Sequence, residues 1–132
     1  MEKLLIVAAD YANLTGNGKL NVMGIFNELN PHEYPYTHPT MYLVIKLRAE
    51  LGEFNQKRSL TIKMVDQDGH DLFALPGEFE VPEMKEGRRP EVNVMLSLNN
   101  LEFPSPGIYQ FIVMVDKDNK GSVSIQANPP KN

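Results

Sequence analysis

Residues 103–116 read F-P-S-P-G-I-Y-Q-F-I-V-M-V-D, and this stretch decides the fold class. Its two prolines fix φ near about −65° and Gly107 tolerates positive φ, so the chain turns there. A strand follows, in which every second residue lies on the same face. One face carries Tyr109, Phe111, Val113 and Val115, and the other carries Ile108, Gln110, Ile112 and Met114. Because both faces are largely apolar, the pattern predicts a central strand that is covered on both sides.

The turn before this strand predicts a specific hydrogen bond. A turn of proline and glycine, followed by tyrosine at the start of an apolar strand, is typical of the tyrosine corner of immunoglobulin-like sandwiches. In that motif the hydroxyl bonds back to the backbone of the preceding connection. We therefore expect the Tyr109 hydroxyl to bond to the backbone of the turn.

The spacing of turn residues predicts an all-β protein. Ten prolines and nine glycines interrupt the 132 residues, and no segment keeps a helical apolar period over three turns. We predict an antiparallel β-sandwich of about eight strands, immunoglobulin-like or jelly-roll, in a single domain over residues 1–127. Residues 128–132 are expected to form a frayed tail.

Local signals place the first strands. The turn sequence T-G-N-G at residues 15–18 predicts a hairpin between strands over residues 4–13 and 19–29. Residues 30–40 contain three prolines, which predicts an irregular connection. The alternation over residues 41–48 then predicts a strand with Met41, Leu43, Ile45 and Leu47 facing in and Tyr42, Val44, Lys46 and Arg48 facing out.

Further turn signals divide the second half of the chain. Pro76-Gly77 is expected to end the strand over residues 71–75 before a short segment at residues 78–81, and Asn99-Asn100 is expected to end the strand that carries Val92, Val94, Leu96 and Leu98. Asp116-Lys117-Asp118-Asn119-Lys120-Gly121 is expected to form a hairpin before the last strand.

Composition excludes several classes of function. A net charge of −4 and a pI near 5.3 provide no basic field for a phosphate backbone, so we expect no nucleic-acid partner. The sequence has no cysteine, which excludes disulfides and cysteine-containing zinc sites. The apolar run over residues 4–9 is too short for a signal peptide or a membrane span. We therefore expect a cytoplasmic protein without a membrane partner.

The residues that could carry chemistry do not form a recognisable set. The loop from Asp116 has Lys120 and Ala127 where a calcium loop needs oxygen ligands, and the aspartates of residues 66–71 are spaced as in a hairpin turn. His32, His38 and His70 lack the spacing of paired metal ligands. No nucleophile motif is present. We predict no catalytic, cofactor-binding or metal-binding residues and no cofactor.

Aromatic residues mark the best candidate surface. Tyrosine is enriched at protein interfaces, and the candidates are Tyr34, Tyr36, His38, Tyr42 and Val44. The alternative is that residues 30–40 only pack down over one end of the sandwich. The first two strands are apolar on both faces, so their outward residues need cover from a loop, another sheet or another subunit.

Several segments together resemble a known family. They are A-D-Y-A-N-L-T-G-N-G-K-L-N-V-M-G-I-F-N-E-L at 9–29, H-P-T-M-Y-L-V-I-K-L at 38–47, D-Q-D-G at 66–69 and N-L-E-F-P-S-P-G-I-Y-Q-F-I-V-M-V-D at 100–116. In this combination the chain resembles a family of uncharacterised bacterial proteins of about this length. The resemblance implies a stand-alone β-sandwich domain with no assigned activity, and it transfers no site residues.

Two functional hypotheses follow. The first is a non-catalytic interaction module that binds a protein partner or copies of itself. The second is a ligand-binding or hydrolytic β-sandwich with a site in the loops at one end, drawing on Asp10, His32 and His38. A pocket shared by these three side chains would distinguish the second from the first.

Overall fold

Alternating apolar residues between the turns form nine strands in residues 1–131, which are the part of the chain that the computed structural model describes. The strands are β1 (Glu2–Leu14), β2 (Leu20–Phe26), β3 (Glu28–Leu29), β4 (Tyr36–Arg48), β5 (Lys57–Val65), β6 (Asp71–Glu80), β7 (Glu91–Phe103), β8 (Gly107–Val115) and β9 (Asp118–Ala127).

The strands pair into two sheets that confirm the predicted sandwich. One sheet has the order β2-β1-β4-β7, and the other has the order β3-β9-β8-β5-β6. All pairs are antiparallel except the short β3, which runs parallel to β9. With β4 and β7 taken as strands B and E, and β5, β6, β8 and β9 as C, C′, F and G, the connectivity is immunoglobulin-like. The described residues contain no helix that could cross a membrane.

The core lies between the two sheets and is filled by the inward rows of their central strands. These rows are Met41, Leu43, Ile45 and Leu47 on β4, Ile62 and Met64 on β5, and Phe111 and Val113 on β8. Each of these side chains is completely or almost completely buried. The inward positions predicted for β4 and β8 are therefore correct.

The expectation that β8 is covered on both faces is wrong. Its outward Ile108 is 47% exposed, and Ile112 and Met114 are half-buried. Ile112 lies in register between Lys63 of β5 and Ser122 of β9, so its partial cover comes from the sheet itself. An apolar outward row thus indicates a central position within a sheet here, without a second layer.

The tyrosine corner is confirmed at the start of β8. The Tyr109 hydroxyl donates to the carbonyl of Ser105 at 2.6 Å and accepts from the Ser105 backbone N–H at 3.3 Å. The buried Tyr109 ring also packs edge-to-face on Phe103, with centroids 5.0 Å apart. The hydroxyl therefore ties the turn to the strand that follows it.

The prediction of an irregular connection over residues 30–40 is wrong for its second half. β4 begins at Tyr36, and its pairing with β7 runs from Tyr36 opposite Phe103 to Arg48 opposite Glu91. β1 pairs with β4 only from Tyr42 onward, so the first part of β4 has a neighbour on one side. Pro39 lies in this locally free part, where its missing N–H need not break a ladder.

Two further expected breaks are continuous strands. β6 runs through Pro76, which is tolerated because β6 is the edge strand of its sheet. β7 runs through Asn100, which takes a φ of 55° that asparagine accepts more readily than most residues. Asn128, placed in the tail by the sequence, donates its backbone N–H to the carbonyl of Leu29 at 2.9 Å. Asn132 lies outside the described residues.

Candidate interaction surface

The five residues predicted as an interaction surface lie in two separate places. Tyr34, Tyr36 and His38 lie at one end of the sandwich and pack towards the core. Tyr42 and Val44 lie on the outer face of the β2-β1-β4-β7 sheet. The candidate surface therefore has to be assessed as two sites.

At the end of the sandwich, the tyrosine hydroxyls bond within the protein. The Tyr34 hydroxyl donates to the carbonyl of Asn128 at 2.6 Å, and burial raises the pKa of Tyr34. The Tyr36 ring stacks on Phe103 with centroids 6.3 Å apart, and its hydroxyl lies 2.8 Å from Nδ1 of His38. These contacts hold the connection before β4 against the domain.

The structure brings His38 near Asp10. Burial lowers the pKa of His38, although the nearby Asp10 carboxylate and the backbone of Thr40 oppose this. The imidazole is therefore mainly neutral at pH 7, and its Nδ1 shares a hydrogen bond with the Tyr36 hydroxyl. His32 is exposed. Asp10 instead lies against β2, where a Cβ on Gly24 would stand 2.9 Å from the Asp10 Cγ.

On the outer face of the sheet, Val44 does not contribute accessible surface. It faces outward as predicted, but it is fully buried, with Val7 and Met95 opposite it on the neighbouring strands. Tyr42 is half-buried and packs edge-to-face against Tyr11, with ring centroids 5.3 Å apart. Val44 is therefore removed from the candidate surface, and Tyr11 joins it.

Two residues of β2 extend this face and are its most exposed members. Met23 is 62% exposed and Ile25 is 61% exposed. Met23 lies opposite Tyr11, and Ile25 lies opposite Ala9, which is itself opposite Tyr42. Tyr11, Met23, Ile25 and Tyr42 therefore form one surface across three strands, which we call the outer apolar patch. The sequence feature that pointed to this patch is that the first two strands are apolar on both faces.

A groove adjoins the outer apolar patch where the two sheets meet. It has a volume of about 300 Å³ and is lined by Val7, Ala8, Ile25, Phe26, Asn27 and Val123. Ile25 belongs to both the groove and the patch. The lining is mainly aliphatic and aromatic, and it includes none of Asp10, His32 and His38.

One turn brings acidic and histidine side chains together. Ligand atoms of Asp66, Asp68 and His70 lie within 4.8 Å of one another. Oδ1 of Asp66 accepts the backbone N–H groups of Asp68 and His70 at 3.0 and 2.9 Å, and these bonds lower the pKa of Asp66. Such bonds are what a hairpin turn of this composition forms, as the sequence predicts.

The strand order makes the chain an immunoglobulin-like β-sandwich domain, and a comparison with known families then shows the family. Residues 4–128 match the family described as "Family of unknown function (DUF6941)", and the chain belongs to this family. No curated protein matches the sequence.

Small parts of longer solved structures align with this chain. A β-glucosidase from Listeria innocua in complex with isofagomine aligns with a TM-score of 0.52 and 10% identity, covering 80% of this chain and 15% of the enzyme. The alkylpurine DNA glycosylase AlkC from Pseudomonas fluorescens, bound to DNA containing an abasic site analog, aligns with a TM-score of 0.49 and 16% identity, covering 78% of this chain and 28% of the glycosylase. The first likeness shows the fold alone.

Proposed function

We propose that this domain is a non-catalytic interaction module that binds a protein partner or a second copy of itself through the outer apolar patch. The observation that carries the proposal is the exposure of Met23 and Ile25, at 62% and 61%, beside the half-exposed Tyr11. Patches of several hundred Å² on a monomer are often functional, and these three side chains expose on the order of 300 Å².

The size of the patch sets the kind of complex it supports. Burying on the order of 300 Å² of apolar surface contributes roughly 7 kcal/mol, whereas association costs roughly 4–15 kcal/mol. The patch alone therefore supports only a weak complex. A stable one needs further area, and the apolar groove beside Ile25 supplies a continuous extension.

Charge does not oppose either type of partner. β2 carries no charged residue, and the four residues of the outer apolar patch are uncharged. A second copy on this face would bring no like charges directly together. The net charge of −4 and the cysteine-free sequence support a cytoplasmic setting without nucleic acid, and the resemblance supports a bacterial one.

The test measures self-association first and partner binding second. Sedimentation velocity from micromolar to near-millimolar protein is expected to show either a reversible dimer or a monomer. A dimer should be weakened at least tenfold by Met23→Lys and Ile25→Lys, because each variant buries a charge in the interface. The matched control is Leu51→Lys, since Leu51 is 80% exposed in a turn outside the patch.

If the wild type is a monomer, affinity capture from the native host decides the proposal. A partner that binds wild-type and Leu51→Lys bait, but not Met23→Lys bait, supports it. A monomer with equal recovery of all proteins on the three baits would refute it. Circular dichroism of each variant must show the wild-type fold before the results are compared.

A further inference from the structure

The four edge strands of the sandwich differ in how they resist pairing with another chain. Edge strands are usually protected by being short, by proline or by a backbone irregularity. β3 has two residues, β6 contains Pro76, and β2 contains Gly24 at a φ of 70°. β7 has none of these features over Glu91–Asn99, and its pairing with β4 is regular along that length.

The free side of β7 also borders an incompletely filled part of the core. No strand of the described residues pairs with this side. The inward Val92, Val94 and Leu96 of β7 remain half-buried, whereas the inward residues of β4 are fully buried. The unpaired backbone groups of β7 therefore lie next to apolar side chains that still lack cover.

Across from β7, the edge strand β6 leaves the same space open. Leu75 shares the inward face of Phe73 and Phe79 but is 41% exposed. Gly77, the next inward position, has no side chain, and the nearest atom to a Cβ there would be the Leu60 carbonyl oxygen at 4.0 Å. One part of this space is a slot of about 250 Å³, lined by Phe73, Leu75, Ser97, Leu98, Asn99, Asn100, Leu101 and Glu102.

The two strands that border the slot are acidic. β6 and β7 together carry five carboxylates and no basic residue, namely Asp71, Glu78, Glu80, Glu91 and Glu102. Asp71 pairs with Lys63 at 3.8 Å, and Glu91 pairs with Lys46 at 3.1 Å. The other three form no ion pair within residues 1–131. Of these three, Glu102 lines the slot, so a segment that lies along the slot meets one carboxylate without an ion-pair partner.

We propose that β7 accepts an extended segment of a partner protein, in which apolar residues alternate with lysine or arginine. Backbone groups of the segment would pair with the free side of β7, as in other cases of strand addition. Its apolar side chains would enter the slot over Leu75 and Leu98, and its basic side chains would face Glu102. This is the position next to strand E that strand D occupies in constant-type immunoglobulin domains.

A second copy of the domain does not fit this slot. The inward row of its own β7 already faces its own core, so pairing two β7 strands would leave Leu75 and Leu96 uncovered. The slot is at the opposite edge of the sheet from β2, and the proposal does not depend on the outer apolar patch.

The test uses the full chain and two synthetic eight-residue peptides, one alternating lysine with valine and the other alternating glutamate with valine. In ¹⁵N–¹H NMR titrations of the labelled protein, the lysine peptide is expected to shift the amide signals of residues 92–99 and to slow their hydrogen exchange. Binding should weaken as salt is added, because the charges that attract the peptide are exposed. The glutamate peptide should leave these signals unchanged.

Two charge-reversal variants locate the site. Glu102→Lys should weaken binding of the lysine peptide by roughly threefold to tenfold, because it replaces an attraction with a repulsion at the slot. Glu28→Lys changes the net charge equally but lies on β3, at the far edge of the other sheet, and should bind as the wild type does. The proposal is overturned by equal binding of both peptides, by binding of neither at millimolar concentration, by shifts confined to other strands, or by equal effects of the two variants.

Discussion

Tyr109→Phe tests the hydrogen bond on which the turn before β8 depends. The substitution removes one oxygen and keeps the ring, so the edge-to-face contact with Phe103 at 5.0 Å is preserved. What is lost is the bond from the hydroxyl to the Ser105 carbonyl at 2.6 Å and the weaker bond from the Ser105 N–H at 3.3 Å. The change in stability therefore reports the hydroxyl alone.

The structure sets the size of the effect. A buried intramolecular hydrogen bond contributes about 0.5–1.5 kcal/mol, and leaving a buried partner unsatisfied costs more. Ser105 is exposed, so water can replace the hydroxyl at its carbonyl and limits the penalty. We expect Tyr109→Phe to lower the free energy of unfolding by about 0.5–1.5 kcal/mol.

Urea unfolding followed by far-ultraviolet circular dichroism measures this change, because the chain has no tryptophan. The midpoint should fall while the slope with urea stays constant, which would show that only stability changed. Tyr34→Phe is the matched comparison, since the Tyr34 hydroxyl also donates to a backbone carbonyl at 2.6 Å, but from a half-buried ring. A midpoint for Tyr109→Phe that equals the wild-type value would refute the structural role of the corner.

Three other substitutions test the core and the charged groups. Phe111→Ala should lower stability by about 3–5 kcal/mol in the same unfolding assay, because Phe111 is fully buried. The Ser59 N–H and the Arg58 guanidinium lower the pKa of Asp116, so this carboxylate stabilises the fold above pH about 4 and the effect disappears as pH falls through the folded pKa. Asp116→Asn should reduce the loss of unfolding free energy between pH 7 and pH 3 by less than about 1 kcal/mol, since the pair is exposed. Urea titrations over this pH range measure the difference. Burial lowers the pKa of His38, so the free energy of unfolding of the wild type should fall as pH drops below about 6.5. His38→Gln should remove this dependence of stability on pH in the same titrations.

The sequence was sufficient where a local pattern alone determines the outcome. The side-chain period of two placed Tyr109, Phe111, Val113 and Val115 on the buried face of β8. The order of turn residues before Tyr109 was enough to predict the corner, because both partners of its hydrogen bond lie within five residues. Local chemistry of this kind does not depend on how the strands are later arranged.

The course of β4 and β6 could not be predicted because it depends on the sheet edges. Pro39 and Pro76 normally interrupt a ladder, and the local pattern therefore predicted a connection and a break. In the structure each proline lies where the strand has a neighbour on one side, so a nitrogen on the free side breaks no ladder. Which strand is an edge follows from topology, which a single sequence does not contain.

The exposure of side chains on the candidate surface also depends on the topology, which the local sequence pattern does not contain. Alternation correctly placed Tyr42 and Val44 on one outward face, but it gives the direction of a side chain and not its cover. Val44 is buried because Val7 and Met95 lie opposite it on both sides, whereas Met23 is exposed because β2 is the last strand of the sheet. Exposure on an outward face is therefore determined by the position of the strand in the sheet. The two surfaces that we propose for partners accordingly lie at the two edges of this sheet, with the outer apolar patch beginning at β2 and the slot lying beside β7.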